Sequence, residues 1–199
     1  MREVLLATNN EHKIREITEI LKDLPLKLVT PEMAGLVDFV PVENGNTYEA
    51  NALIKAHAFV EKTNLAVLAD DSGVETLAFP RFPGVHSADW FPGSDQDRTN
   101  ALLEKMADQN NRGFCYFSLI AYVDPHEKIE KTFTGKMCGE MTRESRAGEG
   151  FGYDPIMIPH GHDKTVAELG DVEKNKISHR RMALNEFANW YRKEYKLNI

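Results

Sequence analysis

The sequence predicts a mixed α/β fold with substantial antiparallel pairing, and three observations carry that reading. The first thirty residues spell strand, helix, strand. Two strand-length runs, 114–123 and 129–139, follow one another with only a short connection. The chain then closes on a helical stripe, with Ala183, Phe187, Trp190 and Tyr191 on one side.

Each element has local reasons. Residues 3–7 read as a short buried strand; Ile14, Ile17, Ile20, Leu21 and Leu24 then recur at helical spacing before residues 26–29 return to strand. Asn9 or Asn10 is placed to cap that helix, since a side-chain oxygen there accepts from amides of the open first turn. Pro25 stops it near Leu24. A loop over 31–46 leads to a second helix starting near Thr47, whose stripe is Tyr48, Ala52, Ala56, Phe59 and Val60. Residues 65–69 read as a strand ending abruptly in a polar turn, Asp70-Asp71-Ser72-Gly73. The stretch 79–92, rich in Pro, Gly and aromatics, reads as an ordered irregular loop, and a helix around 98–106 follows. After the two long strands, the Gly-rich stretch 148–155 precedes a short strand at 156–158.

Composition narrows the function. The 199 residues hold 24 Lys+Arg against 31 Asp+Glu, a net charge of −7. That sign argues against long DNA or RNA as the main partner, yet leaves room for a small anion in a local cationic pocket. Val4-Leu5-Leu6-Ala7 is too short for a signal-peptide core, and no run approaches the roughly 18 apolar residues of a membrane span, so the expected location is cytoplasmic. Cys115 and Cys138 form no C-x-x-C pair, and the expectation is two buried thiols instead of a disulfide or metal clip. No repeat or linker divides the chain, which reads as a single domain over 1–199.

Five segments carry chemistry. In Thr8-Asn9-Asn10-Glu11-His12-Lys13 a strand feeds a helix N-terminus beside a lysine, an arrangement suited to phosphate and equally to a simple cap. Asp70 and Asp71 are adjacent carboxylates that need a cation, a lysine or a proton between them. Mg²⁺ suits such oxygens, with Glu43 placed to join. Lys55, on the second helix, is placed to reach the same site, although by itself it reads as a surface lysine. Phe151-Gly152-Tyr153-Asp154 combines backbone freedom, aromatic rings and a carboxylate, which suits a nucleobase. Lys174, His179 and Arg180 lie in one cationic octet before the last helix. His160 and His162 make only a weak zinc pattern.

Taken in order, these segments resemble the inosine triphosphate pyrophosphatase (ITPase) family. The resemblance is carried by Ala7-Thr8-Asn9-Asn10 with Lys13, by Glu43, by the run from Thr47 through Asn51 and Lys55, by Asp70-Asp71-Ser72-Gly73, by Pro83-Gly84-Val85-His86-Ser87-Ala88, by Gly150 through Ile156, by Lys164 through Leu169, and by Ser178-His179-Arg180. It implies an elongated mixed sheet flanked by helices, two lobes with a nucleotide cleft, a homodimer, and hydrolysis of nonstandard purine triphosphates (ITP, dITP, XTP) to monophosphate and pyrophosphate. It further implies that Thr8, Asn9, Asn10, Glu11, His12 and Lys13 contact the triphosphate. Glu43 and Asp71 would hold Mg²⁺, with Asp71 also accepting the proton of the attacking water and Ser72 beside it. Phe151, Gly152, Tyr153 and Asp154 would form the base pocket, with Lys55, Lys174, His179 and Arg180 completing the substrate site. Where the family often has Gly, Glu and Arg, this chain has Asn9, Ala50 and an acid at Asp89.

Overall fold

In the computed structural model, which describes residues 1–197, the opening apolar run forms β1 (Arg2–Leu6) and the periodic stretch after it forms α1 (Glu11–Leu21). Asn10 is the cap: its side-chain oxygen accepts from the amides of His12 and Lys13 at 3.0 and 3.2 Å. Then come β2 (Leu26–Val29), α2 (Tyr48–Thr63), β3 (Ala66–Thr76), α3 (Asp95–Lys105), β4 (Gly113–Asp124), β5 (Ile129–Met141), β6 (Met157–Pro159), α4 (Val166–Ile177) and α5 (His179–Glu194). The six strands are ordered β2-β1-β3-β4-β5-β6. β1 pairs in parallel with both β2 and β3, and β5 pairs antiparallel with β6. The sheet is therefore mixed, with helices packed on it.

The Cα trace groups into two compact units: one of Met1–Asp71, Ser118–Gly135 and the residues from Arg180 on, the other of Ser72–Phe117 and Lys136–His179. In the first unit, alternate strand residues go to opposite faces. Val4, Leu6, Leu68, Ile120 and Tyr122 pack with Ile17 and Ile20 of α1 and Leu184 and Phe187 of α5. Leu5, Val67, Ala69 and Ala121 pack on Ala52, Ala56 and Phe59 of α2. Burial on both faces explains why these strands read as continuous apolar runs. In the second unit, Leu102 of α3, Met106 just after it and Val166 of α4 pack with Phe114, Met137, Met141 and Ile156.

Two expectations are corrected, and one helix lies outside them. The strand over 65–69 does not end at the acidic residues: β3 runs through Asp70-Asp71-Ser72-Gly73 to Thr76. Both carboxylates are buried and paired with cations from elsewhere in the chain, which removes the reason to turn outward. Cys115 and Cys138 are joined in a disulfide, with Cα atoms 4.0 Å apart, and are not separate buried thiols. They sit on neighbouring strands β4 and β5, where facing residues come within about 4.5 Å. The helix α4 has no unbroken apolar period in the sequence because it is interrupted at Gly170. Its start is nonetheless marked by a reciprocal capping box between Thr165 and Glu168.

Candidate functional site

In the first unit the turn from β1 into α1 sets out the predicted phosphate segment. Thr8 Oγ1 accepts from the Asn10 amide at 3.1 Å, and Asn9 Nδ2 donates to the Val37 carbonyl at 3.0 Å, tying the 31–46 loop to the helix start. Glu11 is exposed, and His12 Nδ1 lies 2.8 Å from Arg15 Nη2. Lys13 turns inward. Its ammonium is 2.8 Å from Asp70 Oδ2.

Asp70 is the hub of a buried network. Ser118 Oγ donates to its Oδ1 at 2.6 Å, and Arg180 Nε and Nη2 donate to Oδ2 at 3.2 and 3.1 Å. Arg180 Nη1 is bonded to Glu16 of α1. Burial alone would raise the Asp70 carboxyl, but Arg180 and Lys13 outweigh it and hold it far below the usual carboxylate range. Burial pulls the Lys13 ammonium down despite Asp70.

Beside this network Glu43, Lys55 and Asp71 converge. Lys55 Nζ, delivered by α2, is 2.6 Å from both Glu43 Oε2 and Asp71 Oδ1. Two acids share one ammonium. Burial pushes Asp71 up to about 6 against the pull of Lys55, with Glu43 adding to the rise. Lys55, although burial works against it, is raised by Asp71 and Glu43. Asp71 Oδ2 is buried with no hydrogen-bond partner among the described residues. No cluster of three or more His, Cys, Asp or Glu arranged for a metal occurs among those residues; the two carboxylates expected to hold one, Glu43 and Asp71, meet on Lys55. Glu49, next to Ala50, accepts from Thr132 Oγ1 at 2.9 Å.

In the second unit the Gly-rich stretch forms a folded loop. Asp154 Oδ2 accepts from the Phe151 amide at 3.1 Å and from Lys174 Nζ at 2.8 Å, while Tyr116 donates to Oδ1 at 3.3 Å. A side chain at Gly150 would put its Cβ 2.6 Å from Asp154 Oδ2, and φ there is +130°, so only glycine fits. Lys174 Nζ also lies 4.0 Å from the centroid of the Phe151 ring. Tyr153 points into the core: its hydroxyl donates to the Ser87 carbonyl and accepts from Trp90 Nε1, both at 2.7 Å. His179 stacks on Tyr116 with centroids 4.8 Å apart and planes at 11°. Ser72 is half-buried on β3.

The structure thus gathers Lys13, Glu43, Lys55, Asp71 and Arg180 in the first unit, and Phe151, Asp154, Lys174 and His179 in the second. Sequence reasoning missed Glu16, Ser118 and Tyr116. Glu16 is the one with a signal: a glutamate on the otherwise apolar face of α1, three residues from Lys13.

Comparison with known proteins identifies the family. The Ham1 family profile matches residues 4–190, and the chain belongs to that family. It is 43% identical over 187 residues to a dITP/XTP pyrophosphatase of Symbiobacterium thermophilum, covering 92% of this chain and 91% of that protein. It is 37% identical over 193 residues to a protein of the same name from Porphyromonas gingivalis, covering 96% and 97%. Among solved structures, the Staphylococcus aureus Ham1 protein superposes with a TM-score of 0.86 at 34% identity, covering 97% of this chain and 100% of that one. A Coxiella burnetii HAM1 protein gives a TM-score of 0.86 at 35% identity with the same coverage.

Proposed function

We propose that this protein is a Mg²⁺-dependent pyrophosphatase that hydrolyses ITP, dITP and XTP to the nucleoside monophosphate and pyrophosphate, removing these nucleotides before they enter DNA or RNA. The observation that carries the reading is the convergence of Glu43, Lys55 and Asp71 beside Lys13. Relatives named dITP/XTP pyrophosphatase at up to 43% identity support the substrate class. A cytoplasmic homodimer belongs to the same proposal, supported by the family resemblance. No helix among the described residues is long and apolar enough to cross a membrane.

The donors fit magnesium: both carboxylates offer hard oxygens, and the buried Asp71 Oδ2 has a hydrogen-bonding position unfilled by the described residues. When bound, the ion would neutralise phosphate charge and polarise the scissile anhydride. The chain supplies the rest. Lys13 and Lys55 bind phosphate oxygens, exchanging part of their contact with Asp70, Asp71 and Glu43 for the substrate. Asp71, raised to about 6, is ionised at neutral pH yet basic enough to take a proton from water. Phe151 stacks on the purine, backed by Lys174. A donor facing the 6-oxo group would reject adenine by about 10⁴-fold, because adenine presents a donor there. Arg180, bonded to Asp70 and Glu16, can serve as that donor only by exchanging one of those bonds.

The test is incubation with ITP, dITP, XTP, ATP and GTP plus Mg²⁺, with pyrophosphate and orthophosphate assayed separately. Pyrophosphate released from the first three and little from ATP or GTP is the expected result. Orthophosphate as the sole product rejects the proposal.

A further inference from the structure

Phe151 and Asp154 are braced by Lys174, but the residue between Phe151 and Tyr153 is held by a helix outside every recognised motif. The Gly152 amide donates to Asp95 Oδ2 at 2.8 Å, and its carbonyl accepts from Thr99 Oγ1 at 3.1 Å. Asp95 and Thr99 are four residues apart on α3, so they lie one turn apart on one face. One rigid element therefore grips both the N–H and the C=O of one loop residue. Gly152 has φ of +61°, and a Cβ built on it would meet nothing within 4 Å. Gly152 has no side chain to pack, so these two hydrogen bonds hold its own peptide groups between the anchored Phe151 and Tyr153.

The grip is itself well founded. Ser94 and Asp97 close the start of α3 with a reciprocal capping box, Asp97 Oδ2 accepting from the Ser94 amide at 2.7 Å. Asp95 Oδ1 is 2.6 Å from Arg98 Nη2, which fixes the carboxylate plane, and Thr99 is only 1% exposed.

We infer that Asp95 and Thr99 are positioning residues for nucleobase recognition: by clamping Gly152 they set the orientation of the Phe151 ring without touching the nucleotide. This rests on the proposed role of the 151–154 loop at the purine. Their effect belongs to substrates with a base and not to the polyphosphate tail.

The experiment compares wild type, Thr99→Val, Thr99→Ser, Asp95→Ala and Asp95→Asn, measuring KM and kcat for ITP and competitive inhibition by inorganic tripolyphosphate, which has no base. Thr99→Val keeps the volume and loses the donor, so KM should rise about fivefold, the usual size of one lost neutral hydrogen bond. The change in kcat should stay below about twofold. Thr99→Ser, which keeps the hydroxyl, should restore KM. Asp95→Ala, at a half-exposed helix end, should behave like Thr99→Val, and Asp95→Asn, which keeps an acceptor, should not. Tripolyphosphate inhibition should be unchanged throughout. An unchanged KM in both Thr99→Val and Asp95→Ala overturns the inference, as does equal weakening of ITP and tripolyphosphate. A wild type that releases no pyrophosphate from ITP is a different result, and it removes the proposed function underneath.

Discussion

Replacing Asp71 by Asn separates what this carboxylate does for chemistry from what its charge costs the fold. The side chain is 10% exposed, and burial lifts it from an ordinary 3.8 to about 6. That shift corresponds to roughly 3 kcal/mol of preference for the neutral form, an upper figure for a group beside other charges. The sign follows from proton binding. Between about 4 and 6 the folded protein holds a proton that the unfolded chain has released, so the Asp71 contribution to stability falls as pH rises through that window and stays low above it. Asn cannot ionise, and its amide occupies the position of Oδ2, which has no hydrogen-bond partner among the described residues. The variant should therefore gain on wild type by less at pH 5 and by at most about 3 kcal/mol at pH 8, reduced by the ion pair that Lys55 loses. For a chain of this size the latter is a rise in melting temperature of roughly 6–12 °C. Urea and thermal unfolding followed by circular dichroism at both pH values measure the gain. Pyrophosphate release from ITP should meanwhile drop by about 10²-fold or more if Asp71 is the base proposed above. A variant no more stable than wild type at pH 8, or one retaining most of its turnover, refutes the reasoning.

Arg180→Leu removes the guanidinium shared by the buried carboxylates of Glu16 and Asp70, and should destabilise the fold by about 3 kcal/mol or more in urea titrations. Adding Glu16→Gln should recover part of that loss; an unshifted midpoint in Arg180→Leu argues that the network is energetically idle. Phe151→Leu removes the stacking surface above Lys174, and KM for ITP should rise at least about fivefold, in line with roughly 1–3 kcal/mol per stacked base. Wild-type KM in that variant would take the purine away from this loop.

What could be read in advance followed from burial. Residues 4–7 and 66–69 read as strands because both faces are covered, and Asn10 and Thr47 declared their helix starts by side-chain chemistry alone. The continuation of β3 through Asp70 and Asp71 was hidden, since the cations that permit it come from Lys55, 16 residues away, and Arg180, 110 residues away. The Cys115–Cys138 pairing was hidden for the same reason: it depends on which strands are neighbours. In the site, the motif residues were legible as types, but their grouping was not. Asp70 became the partner of Lys13 and Arg180, while Asp71 joined Glu43 on Lys55.

The ammonium of Lys55 between two acids has a practical corollary. Acids crowded together usually wait for a mineral counterion before the chain around them can settle, whereas here the polypeptide brings its own. Stripping divalent ions with a chelator should silence the enzyme and leave its far-ultraviolet spectrum and melting curve almost untouched, so that loss of catalysis and loss of architecture become separately observable events.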